Sequence, residues 1–218
     1  KLMRFKLKFN SDGSDSCIAR GPMAATLSQG HFKCTIYDGR AAVKSEVEEY
    51  DVTGGNVKIS HDLIRAEKTA VLHSDFRIAV SQKLVDYWRK EYAYDKDDHV
   101  VVPCTLSRLH KLEVSANSGP IKLIYSGGTG PWQSFELVTA LVFRFLERNK
   151  EAEAVFLTKE NQFLTDLIKS YPKRVERKWV NHDEVIHLLS SADYGILIRD
   201  DKMTNQVASP VKFAEYLN

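Results

Sequence analysis

The chain has 218 residues, of which 43% are hydrophobic and 28% are charged, a composition typical of a folded globular protein. Its 31 Lys and Arg residues are balanced by 29 Asp and Glu residues, and a net charge of +2 argues against a nucleic-acid partner. No apolar run reaches the roughly 18 to 20 residues that a membrane-spanning helix needs.

The three cysteines, Cys17, Cys34 and Cys104, are odd in number and widely spaced, which predicts free thiols in a reducing cytoplasm. The sequence has no Cys-x-x-Cys pair, and His182 and His187, at finger-like spacing, have no cysteine pair to accompany them. We therefore expect a cytoplasmic protein with neither a metal ion nor a cofactor.

Basic residues alternate with apolar ones over residues 1–9, which predicts a half-buried strand. A peripheral contact with lipid headgroups at the inner face of a membrane is the open alternative. The sequence begins at Lys1 and stops at Asn218, directly after a helical pattern. We therefore expect the N-terminal domain and the C-terminal end to be truncated.

The first half of the chain alternates between strand and helix patterns. Apolar runs predict strands at 34–37, 76–80 and 99–102. Helical periodicity covers 57–72 and 82–92, and Ser81 is a suitable N-cap for the second helix. A stretch of mixed charge at 105–118 predicts a linker, so we expect a first domain over 1–104 and a second over 119–218.

The second domain repeats a strand, a turn and a helix. The predicted strands are 121–125, 154–158, 174–178 and a buried strand at 194–198. The apolar sides of the first two helices are expected to include Phe135, Val138, Leu141, Val142, Phe145 and Leu146, then Phe163, Leu164, Leu167 and Ile168. Such alternation predicts an α/β fold with a parallel sheet covered by helices on both faces.

Two further helices complete this domain. Asn181 and Glu184 have the spacing of a capping box. Ser209 is a suitable N-cap for the last helix and Pro210 suits its first position. Its apolar side is expected to hold Phe213, Ala214 and Leu217.

A glycine turn follows the first strand of the second domain. Gly127, Gly128 and Thr129 lie between a strand and a helix, where backbone amides can hold a phosphate. The turn lacks the third glycine of the dinucleotide fingerprint and the Lys-Ser/Thr of a P-loop. The alternative is that the glycines only turn the chain, and Trp132 is close enough to the turn to line a pocket there.

The helix that opens at Ser209-Pro210 is a second candidate for anion binding. Lys212 lies in its first turn, where a cation is unfavourable unless an anion is nearby. Glu215 is three residues further on, on the same face, and could accept hydrogen bonds from two ribose hydroxyls. A solvated helix face is the alternative reading.

Charged residues also follow several predicted strands. Arg199 follows the strand at 194–198, Asp38 and Arg40 follow the strand at 34–37, and Arg20 follows an apolar stretch at 17–19. Open α/β sheets bind ligands at this carboxyl edge. Chance placement of loop charges explains any one of them. No nucleophile elbow is present, and His73 is better interpreted as the end of a helix than as a base.

Two segments, 191–201 and 209–217, resemble the donor-site region of retaining glycosyltransferases of the family 4 type, in particular bacterial surface-polysaccharide members. Residues 78–84 and 101–104 are similar to the end of the family's acceptor-side domain, and 37–46 to the segment that lines the acceptor side. The resemblance implies GT-B architecture, in which two Rossmann-like domains face a cleft, the first on the acceptor side and the second binding the nucleotide sugar.

The resemblance implies transfer of a sugar, with retained anomeric configuration, from a UDP- or GDP-sugar to a carbohydrate or lipid-linked acceptor in polysaccharide biosynthesis. We predict catalytic roles for Arg199 and Lys212. The predicted acceptor-side residues are Arg20, Asp38 and Arg40. The predicted donor-binding residues are Gly127, Gly128, Thr129, Lys159, Arg199, Ser209, Pro210, Lys212 and Glu215.

The sequence departs from the family pattern at two places. Glu215 matches the second acid of the paired-glutamate motif, but the first acid falls at Val207. The lysine expected after the glycine turn is replaced by Trp132-Gln133, which leaves Lys159 and Lys212 as phosphate partners. The alternatives are therefore a non-catalytic nucleotide- or partner-binding module derived from such an enzyme, and a nucleotide-sugar epimerase of the same two-domain plan.

Overall fold

The computed structural model describes residues 15–106 and 119–217, apart from the side chains of residues 182 and 183. The predicted strand at 1–9 and most of the predicted linker, 107–118, lie outside the described residues. The chain divides into two compact units: unit 1 draws on Lys1–Lys44 and Thr53–Val102, and unit 2 on Ser45–Val52 and Pro103–Asn218. The domain limits at 104 and 119 remain predictions.

Unit 1 contains a parallel sheet of four strands among its described residues, in the order β1-β2-β3-β4. In chain order the elements are β1 (Ser16–Arg20), α1 (Pro22–Ser28), β2 (Cys34–Gly39), α2 (Val43–Tyr50), α3 (Val57–His73), β3 (Phe76–Ala79), α4 (Gln82–Tyr92) and β4 (His99–Val101). The last residues of α2 belong to unit 2. The strands and helices predicted for the first half are present within one to two residues.

The core of unit 1 is centred on Trp88, which is fully buried on α4. Its ring lies 5.6 Å from that of Tyr37 and 6.3 Å from that of Tyr94. The predicted N-cap of α4 is confirmed, since the Ser81 hydroxyl accepts a hydrogen bond from the Leu84 amide at 3.1 Å. His73 is the last residue of α3, as predicted.

Unit 2 contains a second parallel sheet, with described strands in the order β7-β6-β5-β8. Its elements are β5 (Lys122–Ser126), a 3₁₀ turn (Pro131–Gln133), α5 (Phe135–Arg148), β6 (Glu153–Leu157), α6 (Gln162–Ser170), β7 (Val175–Lys178), α7 (His182–Ser190), β8 (Tyr194–Gly195), α8 (Met203–Gln206) and α9 (Val211–Leu217). Strand order reverses at β5, which pairs with β6 on one side and β8 on the other. Such a switch point leaves a crevice at the carboxyl end of the central strand.

Helices cover both faces of this sheet, as the alternating pattern predicts. On one face Phe135 and Val138 of α5 pack against Phe156 of β6. On the other face Ile124 of β5 packs against α7, which includes Val185. The capping box at the start of α7 is confirmed, with both the Asn181 and the Glu184 side chains bonded to the backbone.

Five apolar residues expected inside unit 2 are exposed: Leu141, Phe163, Tyr194, Phe213 and Leu217. Helix α5 buries residues 135, 138, 139, 142 and 146, and position 141 lies outside that stripe. Strand β8 is two residues long and pairs only with β5 among the described strands, so Tyr194 is 58% exposed. The predicted buried strand at 194–198 is therefore too long.

The apolar side predicted for α9 is wrong for a specific reason. Phe213 and Leu217 are 58% and 72% exposed, whereas Lys212 and Tyr216 make the contacts with the sheet. The Tyr216 hydroxyl accepts a hydrogen bond from the Ser126 amide at 3.1 Å and donates one to the Ile196 carbonyl at 3.2 Å. These polar contacts, rather than hydrophobicity, determine which side of α9 faces the sheet.

No helix among the described residues combines the length and the apolar character needed to cross a bilayer. The three cysteines are all free thiols.

Gly195 is expected to be intolerant of a side chain. A Cβ atom there would lie 2.5 Å from Cγ of the Tyr216 ring, and a rigid ring cannot yield as a flexible chain does. We expect Gly195→Ala to lower the free energy of unfolding by about 1 to 3 kcal/mol, measured by urea denaturation. Gly128→Ala is the matched control, because a Cβ at Gly128 meets nothing within 4 Å. Equal stability of the two variants would contradict the packing of Tyr216 on Gly195.

Candidate functional site

The carboxyl end of β5 leads into the glycine turn. Gly127 has a φ of +144°, a conformation that residues with side chains rarely adopt, and its amide donates to the Leu157 carbonyl at 3.1 Å. The chain then passes through the 3₁₀ turn to Ser134, which has a left-handed conformation, and into α5. The predicted succession of strand, glycine turn and helix is therefore present at the switch point of the sheet.

Lys212 of α9 lies directly against the glycine turn. A Cβ atom at Gly127 would overlap Cε and Nζ of Lys212, so the lysine occupies the space that the glycine leaves. The ammonium donates to the Tyr125 hydroxyl at 3.0 Å and to Oε1 of Gln133 at 3.1 Å, and it lies 4.2 Å from the centre of the Tyr125 ring. The structure thus brings α9 and the glycine turn together.

Arg199 reaches the same oxygen from the segment after β8. Its Nη2 donates to Oε1 of Gln133 at 3.3 Å, and its Nη1 donates to Oδ1 of Asn205 at 3.5 Å. Both distances are long, and the Nε atom is buried without a hydrogen-bond partner among the described residues. The guanidinium therefore has unused capacity to donate hydrogen bonds.

The two cations have no carboxylate partner within the described ranges 15–106 and 119–217, where the ion pairs involve other residues. Burial, together with the charge of Arg199, lowers the pKa of Lys212 to about 8, while Glu215 acts in the opposite direction. Burial also lowers the pKa of Arg199. Two desolvated cations that share one neutral acceptor favour the binding of an anion between them.

Tyr125 contacts both the glycine turn and Lys212. Burial raises its pKa to about 12, so the phenol is neutral at pH 7. Its hydroxyl donates to the Gly128 carbonyl at 2.6 Å while it accepts from Lys212. The same side chain therefore fixes the glycine turn and the lysine.

Asp200, next to Arg199, is held by a hydrogen-bond network. Its amide donates to the Ser134 hydroxyl at 2.9 Å, and its carboxylate accepts from the Tyr50 hydroxyl at 2.5 Å. Asn205 donates to the Tyr50 hydroxyl at 2.9 Å and to the Asp200 carboxylate. Burial and the hydrogen bond to Asp200 raise the pKa of Tyr50. The network fixes the backbone that carries Arg199.

Sequence reasoning missed Glu49 and Tyr50, which belong to unit 2 although they precede most of unit 1 in the chain. The Glu49 carboxylate accepts hydrogen bonds from the amides of Met203 and Thr204 at 3.0 Å each and so caps the start of α8. A cap of this kind, supplied from about 150 residues upstream, leaves no local pattern in the sequence. Gln133 was missed for a similar reason, since its partner Arg199 lies 66 residues away.

A cavity of about 440 Å³ adjoins the glycine turn. Gly127, Gly128 and Thr129 line part of it, together with Lys159 and Trp179. The ammonium of Lys159 lies 5.9 Å from the ring centre of Trp179, whose side chain is 68% exposed. Trp132 packs against Gly130 and does not line this cavity. The turn therefore adjoins both the cation pair and a pocket with an exposed aromatic ring.

The remaining predicted residues of unit 2 differ in whether they make hydrogen bonds. The Ser209 hydroxyl accepts a hydrogen bond from the Cys104 amide at 2.9 Å, and the Pro210 carbonyl accepts one from the Phe213 amide. Glu215 is half-buried, close enough to influence the pKa of Lys212, and makes no hydrogen bond to the described residues. Within the same ranges, no cluster of His, Cys, Asp and Glu side chains could hold a metal ion.

The residues predicted for the acceptor side lie together in unit 1. Pairing of β1 with β2 places Arg20 opposite Asp38. Nε of Arg40 donates to both carboxylate oxygens of Asp38 at 3.1 Å. Arg20 and Arg40 are both exposed, so this edge of the unit 1 sheet offers two accessible guanidinium groups, of which that of Arg40 is paired with Asp38.

No protein-family model matches the chain, and no curated protein matches its sequence. Similar solved structures include a mutant of TarM from S. aureus in complex with fondaparinux, alpha-GlcNAc-glycerol and UDP. It has a TM-score of 0.59 at 10% identity, over 82% of this chain and 36% of TarM. The pneumococcal O-GlcNAc transferase GtfA, in complex with UDP and GlcNAc, has a TM-score of 0.62 at 12% identity, over 87% of this chain and 38% of GtfA.

A putative UDP-N-acetylglucosamine 2-epimerase from Listeria monocytogenes has a TM-score of 0.52 at 8% identity, over 83% of this chain and 50% of the epimerase. The chain thus spans between about a third and a half of the length of these proteins. At such identities the likeness shows the fold alone. The parallel α/β fold expected from the sequence is confirmed, and its structural neighbours are glycosyltransferases and an epimerase.

Val207, at the position of the missing first acid, is fully buried at the end of α8. A carboxylate there would lose its hydration. We expect Val207→Glu to lower the free energy of unfolding by about 3 kcal/mol or more, measured by urea denaturation. The matched control is Val211→Glu, at a position that is 40% exposed, where we expect a change below about 0.5 kcal/mol. A fully stable Val207→Glu protein would show that this site accommodates the acid.

Proposed function

We propose that this chain is part of a glycosyltransferase and that unit 2 binds a nucleotide-diphosphate sugar at the glycine turn. The observation that carries the proposal is the pair of desolvated cations, Arg199 and Lys212, which meet at one neutral oxygen beside Gly127. A diphosphate supplies the negative charge that this pair lacks. The fold supports the proposal, because its neighbours include glycosyltransferases that were solved in complex with UDP.

The catalytic contribution follows from the same charges. When a sugar leaves a nucleoside diphosphate, negative charge builds up on the bridging phosphate oxygen. Cations that are already fixed at this place stabilise the developing charge without reorganisation. We therefore propose that Arg199 and Lys212 act on the leaving diphosphate. The hydrogen bonds around Asp200 and Tyr125 hold these two side chains ready for it.

We assign the base and the ribose of the donor to residues that lie near the cation pair. The cavity of about 440 Å³ has the size of a small-molecule site, and Trp179 offers a flat surface for the base of UDP or GDP. Lys159 and the amides of Gly128 and Thr129 adjoin the phosphates, whereas the Gly127 amide is bonded to the Leu157 carbonyl and Gly127 provides the space for Lys212. Glu215, which has no hydrogen-bond partner among the described residues, is proposed to accept from the ribose hydroxyls. The amides after Ser209 and Pro210 are proposed to face the diphosphate.

Several finer features are supported by the family resemblance of 191–201 and 209–217. They are retention of anomeric configuration, membership of family 4, a role in polysaccharide biosynthesis and a cleft between domains at 1–104 and 119–218. In this proposal Arg20, Asp38 and Arg40 contact a carbohydrate or lipid-linked acceptor. The free thiols fit a cytoplasmic location, and a peripheral membrane contact remains part of the hypothesis.

Two other functions are favoured by particular observations. The likeness to the Listeria epimerase favours a nucleotide-sugar epimerase, and the buried Val207 favours a binding module without turnover. Incubation with labelled UDP- and GDP-sugars separates them. A transferase releases free sugar slowly in the absence of an acceptor, an epimerase returns an epimerised nucleotide sugar, and a binding module leaves the donor unchanged. If calorimetry finds no binding of either nucleoside diphosphate, both enzyme hypotheses are wrong.

Diphosphate binding is expected to weaken as the pH rises. The Lys212 pKa of about 8 means that its charge is lost between about pH 7 and pH 9, whereas the phosphates of UDP are already ionised at pH 7. Calorimetric titration of UDP should therefore show falling affinity over this range. Lys212→Arg is expected to remove the dependence, because arginine stays charged. Lys212→Ala should cost about 1 to 3 kcal/mol at pH 7. A wild-type protein whose affinity is constant from pH 7 to pH 9 would contradict the role of Lys212.

Glu215→Ala is expected to weaken the binding of UDP by about 1 to 3 kcal/mol, through loss of charge-assisted hydrogen bonds to the ribose. The same change at Glu147, an exposed residue of α5, serves as the control and should leave the affinity unaltered. Inorganic pyrophosphate, which has no ribose, should bind Glu215→Ala as well as it binds the wild type. An equal loss for UDP and pyrophosphate would assign Glu215 a different role.

A further inference from the structure

The side-chain oxygen of Gln133 is shared by the two cations of the site. Both Lys212 and Arg199 can only donate hydrogen bonds, so the atom that accepts from them must be the carbonyl oxygen of the amide. The amide nitrogen of Gln133 makes no hydrogen bond to the described residues. This orientation leaves the cations with an acceptor that carries no formal charge.

Hydrogen bonds to the glycine turn and to the segment that carries Arg199 fix the backbone at Gln133 and Ser134. Its backbone amide donates to the Gly130 carbonyl at 2.8 Å, which closes the 3₁₀ turn. The next residue, Ser134, accepts a hydrogen bond from the Asp200 amide at 2.9 Å. The glycine turn and the segment that carries Arg199 are thus connected through this dipeptide, and the side chain of Gln133 is presented to both cations.

We propose that Gln133 is a positioning residue, which holds Arg199 and Lys212 together in the donor-free protein and yields both cations to a phosphate oxygen when a nucleoside diphosphate binds. This inference rests on the proposed function, because it assigns the ligand that replaces the amide. It assigns Gln133 a specific property, the absence of charge, on which the affinity of the site depends.

The distances support an acceptor that can be displaced. At 3.1 and 3.3 Å the two hydrogen bonds are longer than the 2.7 to 2.9 Å that is typical of charged pairs. A phosphate oxygen carries charge and can approach both donors more closely, so it competes well with the amide. A carboxylate at position 133 would instead form two ion pairs and would not give way.

The other polar groups near the pair do not supply this function. Tyr125 accepts from Lys212 through a neutral hydroxyl, and Asn205 is bonded to Arg199 at 3.5 Å. Glu215 raises the pKa of Lys212 through its charge and makes no hydrogen bond to it. Among the described residues, Gln133 alone accepts from both cations.

The test compares Gln133→Glu with Gln133→Met, which has a similar size but no strong acceptor. In calorimetric titrations with UDP at pH 7, Gln133→Glu is expected to bind about tenfold to a hundredfold more weakly than the wild type. Gln133→Met is expected to bind about threefold more weakly than the wild type, because the two cations lose the acceptor that positions them but meet no competing charge. Circular dichroism and urea denaturation check that both variants are folded.

A second measurement needs no donor. The pH dependence of acylation of the Lys212 amine, followed by mass spectrometry, reports its pKa directly. Gln133→Glu should raise that pKa through the added negative charge, and Gln133→Met should not raise it. If the wild type fails to bind UDP, the proposed function is wrong, while a raised pKa in Gln133→Glu still supports the contact. Undiminished UDP binding by Gln133→Glu, an equal loss in both variants, or an unchanged pKa overturns the inference.

Discussion

The site depends on two positive charges that share a single neutral acceptor. Arg199 and Lys212 would repel each other and lose hydration at this depth unless the surrounding dipoles held them. Tyr125, Gln133 and Asn205 supply those dipoles, and Gly127 supplies the space that Lys212 fills. Three elements bring these groups together: the glycine turn, helix α9, which carries Lys212, and the segment after β8, which carries Arg199. An anion bound between Arg199 and Lys212 would reduce the repulsion between them.

The topology explains why the charges meet at this point. Strand order reverses at β5, so the segments that follow β6 and β8 diverge and open a crevice above its carboxyl end. The glycine turn follows this end of β5. Lys212 lies against Gly127 and Arg199 contacts Gln133 after the turn, while the cavity with Lys159 and Trp179 adjoins the same turn. One short segment of backbone therefore adjoins both a charged and an aromatic surface.

Sequence patterns predicted the elements well where local rules decide them. The capping box at Asn181, the cap at Ser81 and the alternation of strands and helices follow from periodicity and capping alone. The patterns failed for α9, because hydrophobicity suggested Phe213 and Leu217 while tertiary hydrogen bonds oriented the helix through Tyr216. Arg199 and Lys212 were predicted from their places after a strand and in a first helical turn. Local patterns could not predict the roles of Gln133, Tyr50 and Glu49, because the residues that they contact lie 66 to 155 positions away in the sequence.

The contribution of Ser45–Val52 makes unit 2 discontinuous in the chain. A fragment that begins at Pro103 would keep the described strands of the second sheet but would lose the carboxylate that caps α8 and the phenol that fixes Asp200. Such a fragment would retain its hydrophobic core while the segment around Arg199 became free to move. The hydrophobic core of unit 2 and the order of its Arg199 segment therefore have separate structural origins, and the second depends on eight residues from a distant part of the chain.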